Sequence, residues 1–268
     1  MAAGPPGPRV DACAYAACHA SRPLPSPVGT LDSEVCVAPQ FLTMSGNPNA
    51  ISLEPAPGQD VLGDRRALRR AATRAEIVAA AWRLVRQSGL AGLSMRELGD
   101  SVGMRAQSVY SYFASKDDIF DAMFRQGYEE YRATIGPLAD AQASDITAYL
   151  QALAQGHFSF CVADPARFQL LFLRTVPGFE PSAASYAAAV DALARLQSGF
   201  ERVGITDPQA ADLATAVFTG LASQQLANDP GGDRWGRLVD RAVSMVLTEV
   251  APHLLATHSS ASRERSTP

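Results

Sequence analysis

Beyond residue 64, apolar positions recur at the three-and-four spacing of a helix, and no stretch alternates with the period of two that a half-buried strand requires. The spacing predicts a first helix over Arg65–Ser88. Its broad apolar stripe holds Ala67, Leu68, Ala71, Ile77, Val78, Ala81, Trp82, Leu84 and Val85, and Gly89 ends it. Two short helices follow, Met95–Val102 and roughly Arg105–Phe113. Ser94 reads as the N-cap of the first, with Glu97 completing a capping box. Met95, Leu98 and Val102 share its apolar face, and Gly103 stands where a tight turn needs positive φ. In the second, Val109 and Phe113 face inward at i, i+4. That leaves Arg105, Gln107, Ser108, Tyr110, Ser111 and Tyr112 outside. Two such helices joined by a glycine-containing turn form the helix-turn-helix pattern.

The rest of the pattern stays helical. Ser115 caps a long helix, Lys116–Ile135, with Ile119, Phe120, Met123, Phe124, Tyr128 and Tyr131 on its inner stripe and Gly136–Pro137 as a stop. Ser144 opens a helix to Val162. Asp164–Pro165 is an N-cap and N1 pair for Pro165–Arg174. Pro181 or Ser182 starts a helix to Val203, Asp207–Pro208 starts Pro208–Asn228, and the last runs Arg234–Leu255. The expected fold class is all-α, about nine helices: an N-terminal helix-turn-helix domain joined to a helical bundle.

Residues 1–63 are a different material. Ten of the eighteen prolines lie before Gln59, and no apolar period is sustained, so disorder is expected. Met44 offers an alternative start, which would leave residues 1–43 outside the native protein. The expected organisation is an extension over 1–63, a helix-turn-helix domain over 64–124, a helical bundle over 125–257, and a frayed tail over 258–268.

Charge sharpens this division. Asp64 to Lys116 holds ten basic residues against four acidic ones, a net of +6, which leaves −10 for the rest of a chain whose total is −4. One end is thus marked for a polyanion. Lys116 is the only lysine. Cys13, Cys18, Cys36 and Cys161 form neither a disulfide framework nor a zinc spacing, and Cys13-x4-Cys18-His19 is at most suggestive. No catalytic constellation surrounds His19, His157, His253 or His258, and no phosphate loop appears. The expectation is a cytoplasmic protein with no enzymatic activity, no cofactor and no metal.

Several segments together resemble the DNA-binding signature of the TetR family of transcriptional regulators. They are Ser94–Leu98, Val102–Gly103–Met104, Ser108–Val109–Tyr110, Tyr112–Phe113 and Ser115–Lys116–Asp117. Thr73–Arg74, Ile77, Ala80, Ala81 and Gly89 resemble the family's first helix. Gln107 stands where the family usually has a small residue, and Tyr112 where it often has histidine. The resemblance is strong over 73–125 and loose from there to about 255. It includes the piece FTGLASQQLANDP followed by Trp-x-x-Leu-Val-Asp.

A helix enters the major groove with its first residues at the base edges, which here are Arg105, Gln107 and Ser108. The resemblance implies phosphate contacts from Tyr110, Tyr112, Lys116, Thr73 and Arg74, beside the cap Ser94. It also implies a homodimer on a palindromic operator in double-stranded DNA, paired through the last two helices. Ala211, Ala214, Thr215, Phe218, Leu221, Ala222, Leu238, Ala242, Met245 and Val246 are the candidates there, with the monomer's own core as the competing assignment. It further implies an effector pocket for a small, largely apolar ligand. Candidate lining residues are Phe124, Tyr128, His157, Phe158, Phe168, Phe172, Phe179, Tyr186, Phe218 and Gln224, each equally open to ordinary core packing. The function so implied is a ligand-responsive repressor. The alternative is a helical ligand-binding or scaffolding dimer whose head no longer reads DNA.

Overall fold

A computed structural model describes residues 59–254, with side chains from residue 64 onward. Every regular element among them is helical: α1 (Gln59–Ser88), α2 (Met95–Ser101), α3 (Ala106–Tyr110), α4 (Lys116–Ala139), α5 (Ile146–Ala163), α6 (Pro165–Phe168), α7 (Ala183–Arg202), α8 (Ala210–Asn228) and α9 (Val239–Val250). The expected extension over 1–58, the alternative start at Met44, Cys13, Cys18, His19 and Cys36, and the tail from residue 255 lie outside the described residues. No helix among the described residues is long and apolar enough to cross a membrane.

Several boundaries differ from the expectation. α1 begins at Gln59, so residues 59–63 are helical and not part of a disordered extension. α4 runs through Gly136–Pro137 to Ala139. Pro137 removes only the hydrogen bond to Ala133, and both residues lie on the exposed side, where the freed carbonyl is open to solvent. Asp145, not Ser144, caps α5. The expected Pro165–Arg174 helix changes hand-hold after one turn: α6 widens into a π turn over Gln169–Leu173 and ends at Arg174 in the left-handed region, φ 48°. The last helix begins as a 3₁₀ turn, Gly236–Leu238, and α9 stops at Val250.

Two apolar clusters divide the core. The first gathers Ile77, Ala81, Trp82 and Val85 of α1, Leu98 of α2, Val109 and Phe113 around α3, and Ile119, Phe120, Met123, Phe124 and Tyr128 of α4. It does not end at residue 124, because Phe160, Ala166, Leu170, Leu171, Phe179 and Ala188 complete it. The second packs Ile135 and Ala139 of α4 with α5, α8 and α9, through residues such as Leu153, Phe218, Val243 and Leu247. α4 belongs to both clusters. Close approach is written into its glycines: a Cβ on Gly127 would stand 3.0 Å from the Leu171 methyls, tighter than ordinary contact.

Candidate functional site

The helix-turn-helix head is built from α1 to the start of α4. Ser94 caps α2 by accepting the Glu97 N–H at 3.2 Å. Gly103 has φ 68°, the left-handed value that the tight turn demands. A side chain on Gly99 would collide with the Met104 carbonyl, 2.7 Å from its Cβ, so α2 and the turn before α3 fit only with glycine there. α3 is shorter than its pattern predicts: Arg105 is its N-cap, and Ser111–Phe113 continue as tight turns. Val109 and Phe113 are buried as expected. Arg105, Gln107, Ser108 and Tyr110 are exposed together on the opposite side, with Tyr110 46% accessible.

The remaining sequence candidates are positioned differently. Thr73 is half-buried and its hydroxyl donates to the Arg69 carbonyl at 3.1 Å. Arg74 donates to the Tyr112 carbonyl, and its guanidinium lies 4.0 Å from the Phe113 ring centroid. Tyr112 is half-buried beneath Arg70, whose guanidinium is 5.0 Å from the ring. Lys116 reaches back to the Ala91 carbonyl at 3.5 Å and stands 5.4 Å from the Phe120 ring centroid.

Behind the head, α4, α7, α8 and the π turn enclose a cleft of about 320 Å³. Phe124, Tyr128, Tyr131 and Phe172 form its aromatic wall, and Tyr186, Arg174 and Asp212 reach its rim. A narrower recess of about 40 Å³ continues from Tyr131 and Thr215 to His157 and Phe218. The polar groups along this wall are already partnered. Tyr131 Oη lies 2.9 Å from His157 Nδ1, and Thr219 Oγ1 lies 3.1 Å from Nε2. Burial pushes the His157 pKa down to about 4, so the ring is neutral at pH 7. Burial also raises the Tyr128 and Tyr131 phenols and lifts the Cys161 thiol to about 12. The inner wall of the cleft therefore presents ring faces and partnered hydroxyls, with the charges of Arg174 and Asp212 at its rim, a surface suited to a largely apolar body.

Of the predicted lining residues, Phe124, Tyr128, Phe172 and Tyr186 meet in the cleft, and His157 and Phe218 in the recess. Phe158, Phe168 and Phe179 are buried in the core clusters and do not line it. Gln224 is on another face altogether, exposed and bonded to Asn228. Among the contributors not singled out as lining from the sequence are Tyr131, Arg174 and Asp212. Tyr131 sits one turn beyond Tyr128 on the same stripe and could have been found there. Arg174 and Asp212 carry no local signal.

Gln224 instead lies beside Val217, Gly220, Leu221, Leu238, Arg241 and Met245 along an open groove between α8 and α9. Met245 is 63% exposed there. Ala211, Ala214, Phe218, Ala222, Ala242 and Val246, expected in a dimer seam, are buried in the chain's own core. α8 is apolar on nearly all sides, so its sequence could not separate the inner face from the outer one.

Polar links tie α1 and α4 to the helices behind them. Arg86 at the end of α1 bonds Asp164, the N-cap of α6, at 2.7 Å. Trp82 Nε1 donates to Gln126 of α4 at 3.1 Å. Arg167 pairs with Glu130 of α4 at 2.8 Å. Asp121 of α4 accepts from the Ser182 N–H at 2.7 Å and from the Ser185 hydroxyl at 2.7 Å, holding the start of α7.

Residues 77–123, which hold most of this head, match the family described as bacterial regulatory proteins, tetR family. The HTH-type transcriptional regulator Rv1816 of Mycobacterium tuberculosis is 30% identical over 110 residues, spanning 39% of this chain and 45% of that protein. The chain thus spans less than half the length of the curated relative it matches. The regulatory protein SCO4313 has the same fold, with a TM-score of 0.56 and 22% identity over 68% of this chain and 98% of that one. So does AibR, crystallised with isovaleryl coenzyme A and operator DNA, with a TM-score of 0.51 and 18% identity over 64% and 96%. Residues 77–123 of the helix-turn-helix head thus match the tetR family of bacterial regulatory proteins, and the helical fold behind them is the one that SCO4313 and AibR share.

Proposed function

We propose that this chain is a sequence-specific DNA-binding transcriptional regulator, a homodimeric repressor released from a palindromic operator by a small, largely apolar ligand. The observation that carries this reading is the outer face of α3. Arg105, Gln107, Ser108 and Tyr110 stand exposed together over a buried Val109 and Phe113. Arginine suits guanine O6/N7 and glutamine suits adenine N6/N7, each bidentate. Nothing in the packing of the head requires those residue types to be displayed there.

One head is a small footprint, and two related by a twofold axis would read half-sites about one helical turn apart, ~34–36 Å. The open groove between α8 and α9, with Met245 and Leu221 along it, supports pairing through the last two helices. A ligand seated in the aromatic cleft would press on Phe124, Tyr128 and Tyr131, all on α4. The same helix begins at Lys116, immediately after the reading helix, so its displacement would change the separation of two heads and weaken the operator complex. AibR was crystallised with a small ligand and operator DNA together, so this fold hosts both.

The test is selection from random duplexes with the full chain, repeated against a panel of neutral aromatic and acyl compounds. The expected result is an enriched palindrome whose recovery one class of compound abolishes. Recovery of no enriched sequence would refute the reading.

A further inference from the structure

α3 has five residues, too few to hold its own geometry in water. Only one of them, Val109, is buried, so apolar packing fixes the depth of the helix but not its rotation about that contact. The carbonyls after its last turn lack intrahelical partners and carry the negative end of the local dipole. Arg70 Nη2 donates to the Ser111 carbonyl at 2.7 Å, and Arg74 Nη1 donates to the Tyr112 carbonyl. Each guanidinium also lies over the next ring along, Tyr112 at 5.0 Å and Phe113 at 4.0 Å. Positions 70 and 74 are one turn apart on α1, so two successive turns of one helix grip two successive peptides at the end of the other.

We infer that Arg70 and Arg74 are positioning residues for the DNA-reading helix, not members of the phosphate-contacting set, an inference that rests on the DNA-binding reading above. A planar guanidinium can hydrogen-bond in its plane and stack on its face at once, and an ammonium cannot. The neighbouring Arg65 and Arg69 differ. Both are exposed, and their guanidinium groups make no hydrogen bond or ion pair with any other described residue. With the equally exposed Arg66, they are cations in the first turns of α1 free to meet a phosphate. The run of five arginines over 65–74 is thereby split into two jobs.

Salt dependence separates the jobs. A cation that neutralises a phosphate releases a counterion, and its loss lowers the slope of log K against log salt by about 1. A residue that only orients the reading helix lowers affinity at every salt concentration and leaves the slope where it was. The full chain and its variants are titrated on the selected duplex across a salt series, at a temperature where each is folded. Arg70→Gln and Arg74→Gln are each expected to bind on the order of tenfold more weakly with unchanged slope, the loss of one charge-assisted hydrogen bond. Arg65→Gln and Arg69→Gln are expected to flatten the slope. Lysine should rescue position 69 and fail to rescue position 74. Amide exchange at Ser111–Phe113 should quicken in Arg74→Gln while the amides of α4 stay protected.

A slope lowered by about 1 in Arg70→Gln or Arg74→Gln, or full rescue by Arg74→Lys, would make these residues phosphate contacts and overturn the inference. Undiminished affinity in both glutamine variants would overturn it as well. Failure of the unaltered chain to select any duplex would instead remove the DNA-binding reading on which it stands.

Discussion

Cutting the link between Arg86 and Asp164 is the most exacting test of how the head is held to the bundle. Arg86 Nε and Nη2 both reach Asp164 Oδ2, at 2.8 and 2.7 Å, while Oδ1 accepts the Arg167 N–H at 3.1 Å. The carboxylate side chain is 7% exposed and the guanidinium side chain 48%. The two ends of the pair are therefore unequal. Arg86→Gln leaves a nearly buried carboxylate with little more than one peptide N–H. A fully buried charge stripped of its partner costs 3–5 kcal/mol, and the half-exposed partner here reduces that to about 2–3 kcal/mol. Asp164→Asn keeps an oxygen to cap α6 and leaves a guanidinium that water can reach, so it should cost only about 1–1.5 kcal/mol. The double variant should cost about 2 kcal/mol, giving a coupling energy of roughly 1–2 kcal/mol. Urea denaturation of the four proteins at neutral pH and fixed salt measures each term. A coupling below ~0.5 kcal/mol, or a larger cost for Asp164→Asn than for Arg86→Gln, would refute the assignment of a desolvated interdomain pair.

Other consequences are open to direct measurement. Ser94→Ala removes the cap of α2 and should lower stability by about 1 kcal/mol in urea denaturation, and Ser94→Asp should restore most of it. His157 has a pKa depressed to about 4, so the unfolded chain takes up a proton below pH ~6.5 that the folded chain refuses. The sign is a loss of stability as pH falls. It should amount to roughly 2 kcal/mol between pH 6.5 and 5, and a pH series of unfolding free energies should show it missing in His157→Gln. Met245→Glu places a charge on the exposed groove between α8 and α9, and sedimentation should find the monomer at concentrations where the unaltered chain is dimeric.

The parts of the fold legible in the sequence are those fixed by local chemistry. Asp164–Pro165 and Ser182 open helices where their capping groups say they should, because the cap bond closes within three residues. Gly103 turns as expected, since its conformation excludes other residues cheaply. Local rules misjudged Pro137, because a proline on the exposed side of a long helix loses one bond that water replaces. They also missed the π turn after Phe168, where Leu171 lies against Gly127 of α4, a long-range contact with no local signal. The exposed face of α3 was readable because Val109 and Phe113 set its phase. The fate of the arginines on α1 was not. Which guanidinium meets a peptide carbonyl depends on where α3 ends in space, and that is set by long-range packing. The same holds for Phe158 and Phe168, whose helical spacing is shared by core and cleft alike.

The account stands most directly on the affinity of the full chain for its selected palindromic duplex, measured beside the double variant Arg105→Ala/Tyr110→Phe. Arg105 and Tyr110 are exposed and their side chains make no hydrogen bond with other described residues, so folding stability should be unchanged while operator affinity falls by about 2–4 kcal/mol and discrimination at the arginine-read base pair relaxes. Operator affinity and sequence preference both retained by that variant would contradict the claim that the outer face of α3 reads DNA.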